Sequence, residues 1–464
     1  MAYTGTIGGI LSNYEQVLKT FYLPAIQEQL NQQTPLADLI ETNEKDVSGK
    51  NATILCHYGR SGGTFARADG GAFGDADRQK FQTATVPMKY QYGRVVFSGP
   101  TIAATRDEKG SYARVIDTEI TGIVKDLQQE VNRQLWGCGM GVLARWETGA
   151  TSATSVTLSK LYRGNAIGGD GFGSTFGAKY LKENGHGVAV VVTSANPMTA
   201  MTVATTDIAV SAVDDTSSTL VDTITCTATA VSNASGTWFV RPGNMVTATS
   251  ASVAGAWRLE MMGLRGIVTN SDIDHIVPFD ATYYDSAGTN MFVVPDPLQG
   301  LTTGTYSWWK AQVSTHASGR YQGQRALTLD LMQEMFDNVE TAAGKDYGPN
   351  VIFTTKAIRR KYLTLMQADR RNVNTMTLDG GWKALDYNGI PLMVDDDAID
   401  GEMYFLTTKD LQIYRMSDYE WMQKDGAVLS RITGYDAYEA VLYRYAELGC
   451  VRRNSHGVIA DLSY

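Results

Sequence analysis

The stretch GSYARVIDTEITGIVKDLQQEVNRQLWG, residues 110–137, carries the clearest helical pattern of the chain. Ser111 is suited to cap its start, and Gly137 to end it. A helix over 112–136 would be about 37 Å long at 1.5 Å per residue. Its apolar residues recur at steps of three and four, while charged residues occupy the other faces: Ile116, Ile120, Ile123, Val124, Leu127, Val131 and Leu135. The pattern predicts a long, one-sided helix that lies along a surface.

Two stretches before this helix have the pattern of β-strands, TILCHY (53–58) and TATVPMKYQYGRVVFSG (83–99). The second alternates with period two, which is typical of a strand with two unlike faces. One predicted face carries Val86, Met88, Tyr90 and Tyr92. We expect the two stretches to form a long hairpin. Its tip, roughly 62–80, is too rich in glycine and charge to form a core of its own.

The flanking regions differ in character. Residues 13–41 read as short helices interrupted at Pro24, a pattern typical of an arm that lies on a neighbour. Residues 186–306 contain no lysine, three arginines and ten acidic residues, so ten minus three places −7 of the net −9 there. Their Ser, Thr and Val content predicts short strands. We interpret about 186–310 as an inserted β-domain, a small barrel or a sandwich.

From residue 325 the chain returns to mixed structure. ALTLDLMQEMFDNVETAA (326–343) and KAIRRKYLTLMQADRR (356–371) predict helices, and NVIFTT (350–355) predicts a buried strand between them. Asn-Gly and Asp-Gly pairs predict turns between the strands that follow. The final stretch, AYEAVLYRYAELGCVRRNSHGVIADL, predicts two more strands.

Composition excludes several classes of protein. The net charge is −9 and the pI about 5.2. A protein that binds nucleic acid over its whole surface is normally basic, so these values argue against that class. The four cysteines are far apart, so we expect reduced thiols and neither a disulfide framework nor a zinc site. The N-terminus has no signal-peptide pattern, and no apolar run approaches the roughly 18 residues of a membrane span. We expect folding in a cytoplasm, without membrane attachment.

One motif raises the question of catalysis. Gly59, Ser61 and Gly63 match the G-x-S-x-G spacing of a hydrolase nucleophile elbow, which requires a helix directly after the serine. Residues 64–80 show no helical period. None of the four downstream histidines lies in a sequence context that marks it as catalytic. A calcium-like stretch at 396–401 has Ala398 where a ligand oxygen belongs. We therefore predict no catalytic, metal or cofactor site, and keep a serine hydrolase at Ser61 only as an alternative.

A cluster of basic residues on the second predicted C-terminal helix is the one local charge feature. It could meet phosphate or an acidic neighbour, or simply be a solvated helix face. Its members are Lys356, Arg359, Arg360, Lys361, Arg370 and Arg371.

The order of these pieces, from arm through glycine-tipped hairpin to long helix, resembles the major capsid proteins of tailed phages with the Hong Kong-97 fold. Two stretches carry the resemblance: VSGKNATILCHYGRSGG with TATVPMKYQYGRVVFSG and the helix after it, and the ending from LDGGWKALDYNGIPLMVDDDAIDGEMYFLTTKDLQIYRM to GVIADL. The resemblance implies an α+β fold with an N-terminal arm, an extended β-hairpin loop, a spine helix, peripheral and axial domains, and here an inserted β-domain.

The resemblance also implies domain boundaries. They are 1–49 for the N-terminal helical arm, 50–106 for the extended loop, 107–150 for the peripheral domain with the spine helix, 151–325 for mostly the inserted β-rich domain, 326–436 for the axial domain with part of the peripheral domain, and 437–464 for returning peripheral-domain strands.

The implied function is that of a structural shell subunit without enzymatic activity. It would form pentamers and hexamers in the virion, after assembly in the host cytoplasm with a separate scaffolding protein and a portal. A cement or decoration protein could bind the insert, and packaged DNA would meet the inner face non-specifically. The candidate contacts between subunits are Arg60, Arg67, Asp69, Gly70, Gly71, Asp75, Asp77, Arg78 and Lys80 in the tip, and Tyr14 and Phe21 in the arm.

A second alternative is a virion decoration protein or adhesin that uses the β-rich insert as its working part. Such a protein would not need the hairpin and the spine helix.

Overall fold

The computed structural model of the chain describes most of its second half and selected parts of its first half. The described residues are 34–44, 46–104, 112–139, 142–148, 155–159, 178–184, 186–192, 201–216, 221–226, 237–240, 260–270, 297–317, 324–368, 375–377, 383–423 and 428–463.

Seven α-helices and twenty-one strands lie in these residues. The helices are α1 (Pro35–Leu39), α2 (Gly99–Ala104), α3 (Tyr112–Trp136), α4 (Lys179–Asn184), α5 (Leu264–Ile267), α6 (Leu329–Ala343) and α7 (Lys356–Ala368). The strands are β1 (Glu41–Asn43), β2 (Val47–Ser48), β3 (Asn51–Gly59), β4 (Lys80–Pro87), β5 (Lys89–Ser98), β6 (Val142–Thr148), β7 (Ser155–Ser159), β8 (His186–Val192), β9 (Met201–Asp214), β10 (Val221–Cys226), β11 (Thr237–Val240), β12 (Gln312–Ser314), β13 (Val351–Thr354), β14 (Thr375–Thr377), β15 (Lys383–Tyr387), β16 (Ile390–Val394), β17 (Met403–Leu406), β18 (Leu411–Trp421), β19 (Ser430–Arg431), β20 (Ala437–Cys450) and β21 (Gly457–Ile459).

The hairpin forms, but its return stretch is divided between two sheets. β4 pairs with β3 as far as Pro87, whereas β5 pairs with β20. The burial phase changes with the partner: Val86 and Met88 are buried, but Gln91 is buried next and Tyr92 is exposed. The predicted single face from Val86 to Tyr92 is therefore wrong. Proline has no N–H for a ladder, so the chain can change sheets at this point.

Strand β20 is the centre of a five-stranded sheet. Its residues 442–450 pair with β18, its start pairs with β19, and residues 437–446 pair with β5, while β1 adds to β18 in parallel. The long helix α3 covers this sheet over the predicted residues 112–136. A side chain at Gly93 of β5 would lie 2.9 Å from Ile123 of α3, so a glycine is required for this close crossing.

A closed six-stranded barrel follows α3, in the order β10-β7-β6-β11-β8-β9. Its core contains Leu143, Val156, Leu158 and Ile224. The barrel begins with β6 at Val142. Residues 260–270 and 297–317 pack into the main core through side chains such as Leu264 and Trp309. The predicted bounds of the insert at 151 and 325 stay a prediction.

A seven-stranded sheet, β12-β21-β17-β13-β16-β15-β14, forms the third unit. Strands β13 and β17 are buried at every position because both faces of the sheet are covered. Helices α6 and α7 cover one face, and Trp136 from the end of α3 packs edge-on against Phe353 and Tyr404 on the other. The predicted Asn388–Gly389 turn has φ values of 56° and 78°, as a type I′ hairpin requires. Strand β21 lies in this sheet, whereas β20 lies in the five-stranded sheet, and the assignment of 437–464 to peripheral-domain strands stays a prediction.

Candidate assembly surfaces

The root of the hairpin, defined here as residues 51–58 with 81–87, is fixed to the body. Ala52, Ile54 and Val86 are buried in the main core with side chains of the five-stranded sheet. Tyr58 stacks on Trp308 with ring centroids 5.2 Å apart and planes at 8°. Thr85 N donates to Gln299 O at 2.9 Å. The direction of the hairpin is therefore set by the chain itself.

The tip of the hairpin, residues 60–79, contains neither helix nor strand, but it has a defined local structure. Asp77 accepts hydrogen bonds from Gly62 N and Arg78 N, both at 2.8 Å. These backbone N–H groups lower the pKa of Asp77. Gly71 N donates to Ala68 O at 2.9 Å across a turn in which Gly70 has φ of +73°. Glycine is required there for its left-handed conformation.

Aromatic side chains form the outer part of the tip. Phe65 and Phe73 have centroids 6.2 Å apart, and the Arg67 guanidinium lies 5.2 Å from the Phe65 ring. Phe73 is 89% exposed, and on the root Leu55 and Phe81 are 67% and 54% exposed. Singly exposed apolar residues are common, but a group of them on one projecting element marks an interaction surface.

The structure places the predicted tip residues together, and several of their charged side chains are exposed to solvent. Arg60, Asp69, Asp75 and Lys80 are exposed, and none makes an ion pair within the described part of the chain. Tyr14 and Phe21 lie outside the described residues. The assignment of the tip residues to contacts between subunits stays a prediction.

Ser61 is a turn residue in this tip. Its Oγ accepts a hydrogen bond from Gly63 N at 3.2 Å. His57 Nε2 lies 3.0 Å from Gly59 O and 2.9 Å from Gln79 Oε1, and no helix follows the serine. His456 is fully buried, which lowers its pKa to about 3. The arrangement lacks the strand–turn–helix that a nucleophile elbow requires.

The basic cluster lies on α7 as predicted for Lys356, Arg359, Arg360 and Lys361. Lys356 Nζ is 2.5 Å from Asp396 Oδ1, whereas Arg360 and Lys361 are exposed. Tyr362 and Ile358 take the buried side of the helix. Arg370 and Arg371 lie outside the described residues. The pair with Asp396 shows that an acidic neighbour within the chain engages one end of the cluster.

The acidic turn, residues 395–397, contacts three helices, α3, α4 and α7, a role that the sequence pattern did not predict. Asn132 of α3 donates to Asp397 Oδ2 at 2.7 Å and to Asp395 at 3.2 Å. Lys179 and Tyr180 of α4 contact Asp397 Oδ1 at 2.5 and 2.6 Å. The turn thereby connects α3 and α4 to the seven-stranded sheet.

Buried charges surround this junction. Burial raises the pKa of Asp395 to about 6, and the Asp397 carboxylate adds to the increase. Arg133 is fully buried, and its Nη2 is 2.5 Å from both Glu130 Oε1 and Glu260 Oε1. Burial alone would lower the pKa of Arg133, but the two carboxylates outweigh it and hold the pKa above its ordinary value. Burial likewise raises the pKa of Glu447 to about 8.

The described ranges contain neither a metal-binding cluster nor a membrane-spanning helix. No group of three or more His, Cys, Asp or Glu side chains is arranged to hold a metal ion there. Nor does any helix in that part of the chain combine the length and apolar character needed to span a membrane.

Comparisons with known proteins identify the fold. No protein-family model and no curated protein sequence matches the chain. Among solved structures, a chain of the cyanophage A-1(L) capsid asymmetric unit matches with a TM-score of 0.52 and 14% identity, covering 97% of this chain and 98% of that one.

Two weaker matches are the capsid of the native GTA particle (TM-score 0.47, 7% identity, 97% of each chain) and the holo-SrpI encapsulin complex from Synechococcus elongatus PCC 7942 (TM-score 0.42, 8% identity, 97% of this chain and 94% of that one). At these identities the likeness defines the fold and not the activity. The chain thus has a mixed α+β fold, built from several sheets, similar over nearly its whole length to that of a cyanophage capsid chain.

Proposed function

We propose that the chain is a major capsid protein, the structural subunit that self-assembles into the icosahedral head shell enclosing a phage double-stranded DNA genome. The observation that carries the proposal is the hairpin. Its root is fixed to the body, while its tip exposes the apolar side chain of Phe73 and charged side chains that form no ion pair within the described ranges, those of Arg60, Asp69 and Asp75. A capsid-type fold over nearly the whole chain supports the same function.

The parts take the roles of a Hong Kong-97-type subunit. The hairpin is the extended loop, α3 is the spine helix, and the five-stranded sheet beneath it forms the peripheral domain. The seven-stranded sheet with α6 and α7 is the axial domain. The barrel between α3 and α5 is an insert, because the chain leaves the end of α3 and returns to it: a side chain at Gly263 would lie 2.4 Å from Gln134 O.

Assembly would follow from contacts between unlike surfaces. Each copy offers its hairpin to one neighbour and receives the hairpin of another, so the contacts propagate until the lattice closes. Single contacts can then be weak, because multivalency raises apparent affinity by ~10²–10⁴. The tip charges would fix the register between copies more than they add affinity.

The proposed setting is the virion, reached after assembly in a host cytoplasm. The partners would be other copies in pentamers and hexamers, a separate scaffolding protein, a portal, and packaged DNA at the inner face without sequence preference. The barrel would offer a site for a cement or decoration protein. A structural role needs no cofactor and no catalytic residue.

Removal of the tip tests the proposal. We expect the wild type, with its candidate scaffolding protein, to give shells or capsomers by light scattering and negative-stain microscopy. Replacement of residues 62–78 by a short Gly-Ser linker should preserve the circular dichroism spectrum but prevent assembly. The matched control exchanges only Ser61 for Ala and should assemble normally.

Three results would contradict the proposal. Shells formed by the tip deletion would remove its central observation. A wild type that stays monomeric under all conditions would favour the decoration or adhesin alternative. Loss of an esterase activity in Ser61→Ala would favour the hydrolase.

A further inference from the structure

Two neighbouring helices of the seven-stranded-sheet unit carry opposite charge. Helix α6, LDLMQEMFDNVETAA, contains four acidic residues and no basic one. Helix α7, KAIRRKYLTLMQA, contains four basic residues and no acidic one. Both helices pack on the same face of the sheet, through Met332, Met335 and Val339 of α6 and Ile358 and Tyr362 of α7. The unit is therefore acidic along one flank and basic along another.

The two flanks do not neutralise each other within the chain. Asp330 and Glu334 of α6 and Arg360 and Lys361 of α7 are exposed. Within the described ranges, none of these four residues forms an ion pair with another residue. A solvated charged side chain lowers stability little. Solubility, however, does not require that all charges on one helix be acidic and all charges on its neighbour basic. It is the arrangement that pairing between unlike surfaces of two copies would use.

A groove of about 500 Å³ lies between the helices and the β15–β16 turn. Its lining combines apolar, tyrosine and acidic side chains: Asp330, Gln333, Tyr362, Met366, Asp386 and Tyr387. Asp386 Oδ1 is buried and has no hydrogen-bond partner among the described residues. Carboxylates beside tyrosine rings suit a guanidinium or ammonium group, since the ring faces attract cations and the carboxylates accept hydrogen bonds.

We infer that this groove, together with the exposed acidic residues of α6 beside it, receives Arg360 and Lys361 of a second copy, so that the seven-stranded-sheet units of adjacent copies join head to tail. The inference rests on the proposed function and deepens it by naming one contact of the capsomer. Charge complementarity selects a second copy over DNA as the occupant of the basic flank, because a phosphate backbone approaching α7 would also meet the acidic helix α6.

Charge reversal on each flank tests this pairing. The basic flank is reversed by R360E with K361E, and the acidic flank by D330K with E334K. Each double variant should reduce assembly by at least about tenfold at low salt. The quadruple variant carries both reversals and is complementary to itself again, so it should recover assembly to within about threefold of the wild type. The matched control K345E with K409E makes the same change in charge at exposed positions elsewhere and should assemble normally.

Each outcome has one interpretation. Double variants that fold and assemble like the wild type would overturn the pairing while leaving the capsid function intact. A quadruple variant that stays unassembled would also overturn it, and reduced binding of a 30-base-pair duplex by R360E/K361E would then assign the basic flank to DNA. A wild type that never assembles would contradict the proposed function, and the pairing with it.

Discussion

The hairpin tip and the acidic turn at 395–397 are alike in sequence, since both are short, polar segments with clustered aspartates. In the structure they are opposites. Most of the tip is exposed, and its carboxylate Asp77 accepts hydrogen bonds from backbone N–H groups of the tip itself, those of Gly62 and Arg78. Each aspartate of the turn contacts a side chain from another element, among them Asn132, Lys179 and Lys356. Similar charges thus hold one chain together in the turn and remain available to other chains in the tip.

The largest effect on stability is expected at Arg133, a fully buried arginine next to Asn132, which contacts the acidic turn. Arg133→Ala would remove the buried guanidinium that pairs with Glu130 and with Glu260, which is 3% exposed. Removal of one partner from a buried ion pair costs about 3–5 kcal/mol. Urea unfolding followed by tryptophan fluorescence measures the loss. Arg67→Ala in the tip is the matched control and should change the free energy of unfolding by less than about 0.5 kcal/mol. Equal losses in the two variants would remove the distinction.

Asp395→Asn should raise stability in a pH-dependent way. Because the folded-state pKa of Asp395 is about 6, above its ordinary value of 3.8, the folded protein binds this proton more strongly than the unfolded chain. The wild type therefore loses stability as pH rises from about 4 to about 6. Asparagine has no such titration, so we expect a gain of about 1–3 kcal/mol at pH 7.5 that shrinks towards pH 4.

Thermal unfolding of both proteins at pH 4 and pH 7.5 gives the comparison. Asp396→Asn is the matched control: its partner Lys356 is largely exposed, so the change should stay below about 0.5 kcal/mol at either pH. A variant Asp395→Asn that is less stable than the wild type at pH 7.5 would show that the carboxylate is needed in its charged form.

The difference between the two regions explains what could be predicted from the sequence. Helix α3 and the glycine-rich tip could be predicted from local pattern, because periodicity and glycine content are visible within a few residues. The junction could not, because Asn132, Lys179 and Asp397 are far apart along the chain and only the fold brings them together. The change of sheet at Pro87 was missed for a similar reason: the partner of β5 is β20, more than three hundred residues later. The family resemblance implied a mixed α+β fold, but not a barrel that begins at Val142.

A smaller effect on stability is expected at the root of the hairpin, which lies between the exposed tip and the buried core. Tyr58→Ala removes the stacked contact with Trp308, and aromatic pairs of this kind contribute about 0.5–1.5 kcal/mol. We expect urea unfolding to show a loss of about 1 kcal/mol. Phe65→Ala is the control, because Phe65 is about as exposed as Tyr58 but contacts Phe73 and Arg67 of the tip only. If both changes had the same effect, the root would not be anchored as the structure indicates.

The smallest effect on stability, together with a large effect on assembly, is expected at Phe73. Its side chain is 89% exposed, so Phe73→Ser should leave the free energy of unfolding within about 0.5 kcal/mol of the wild type. If the tip packs on a second copy, the same change should reduce shell formation at least about tenfold, as measured by light scattering, because an exposed aromatic anchor is where interface energy concentrates. Met422→Ser, at a residue 45% exposed at the end of β18, should alter neither quantity. Normal assembly of Phe73→Ser would mean that the tip meets its neighbour through its charges alone, since Arg60, Asp69 and Asp75 would remain to do so.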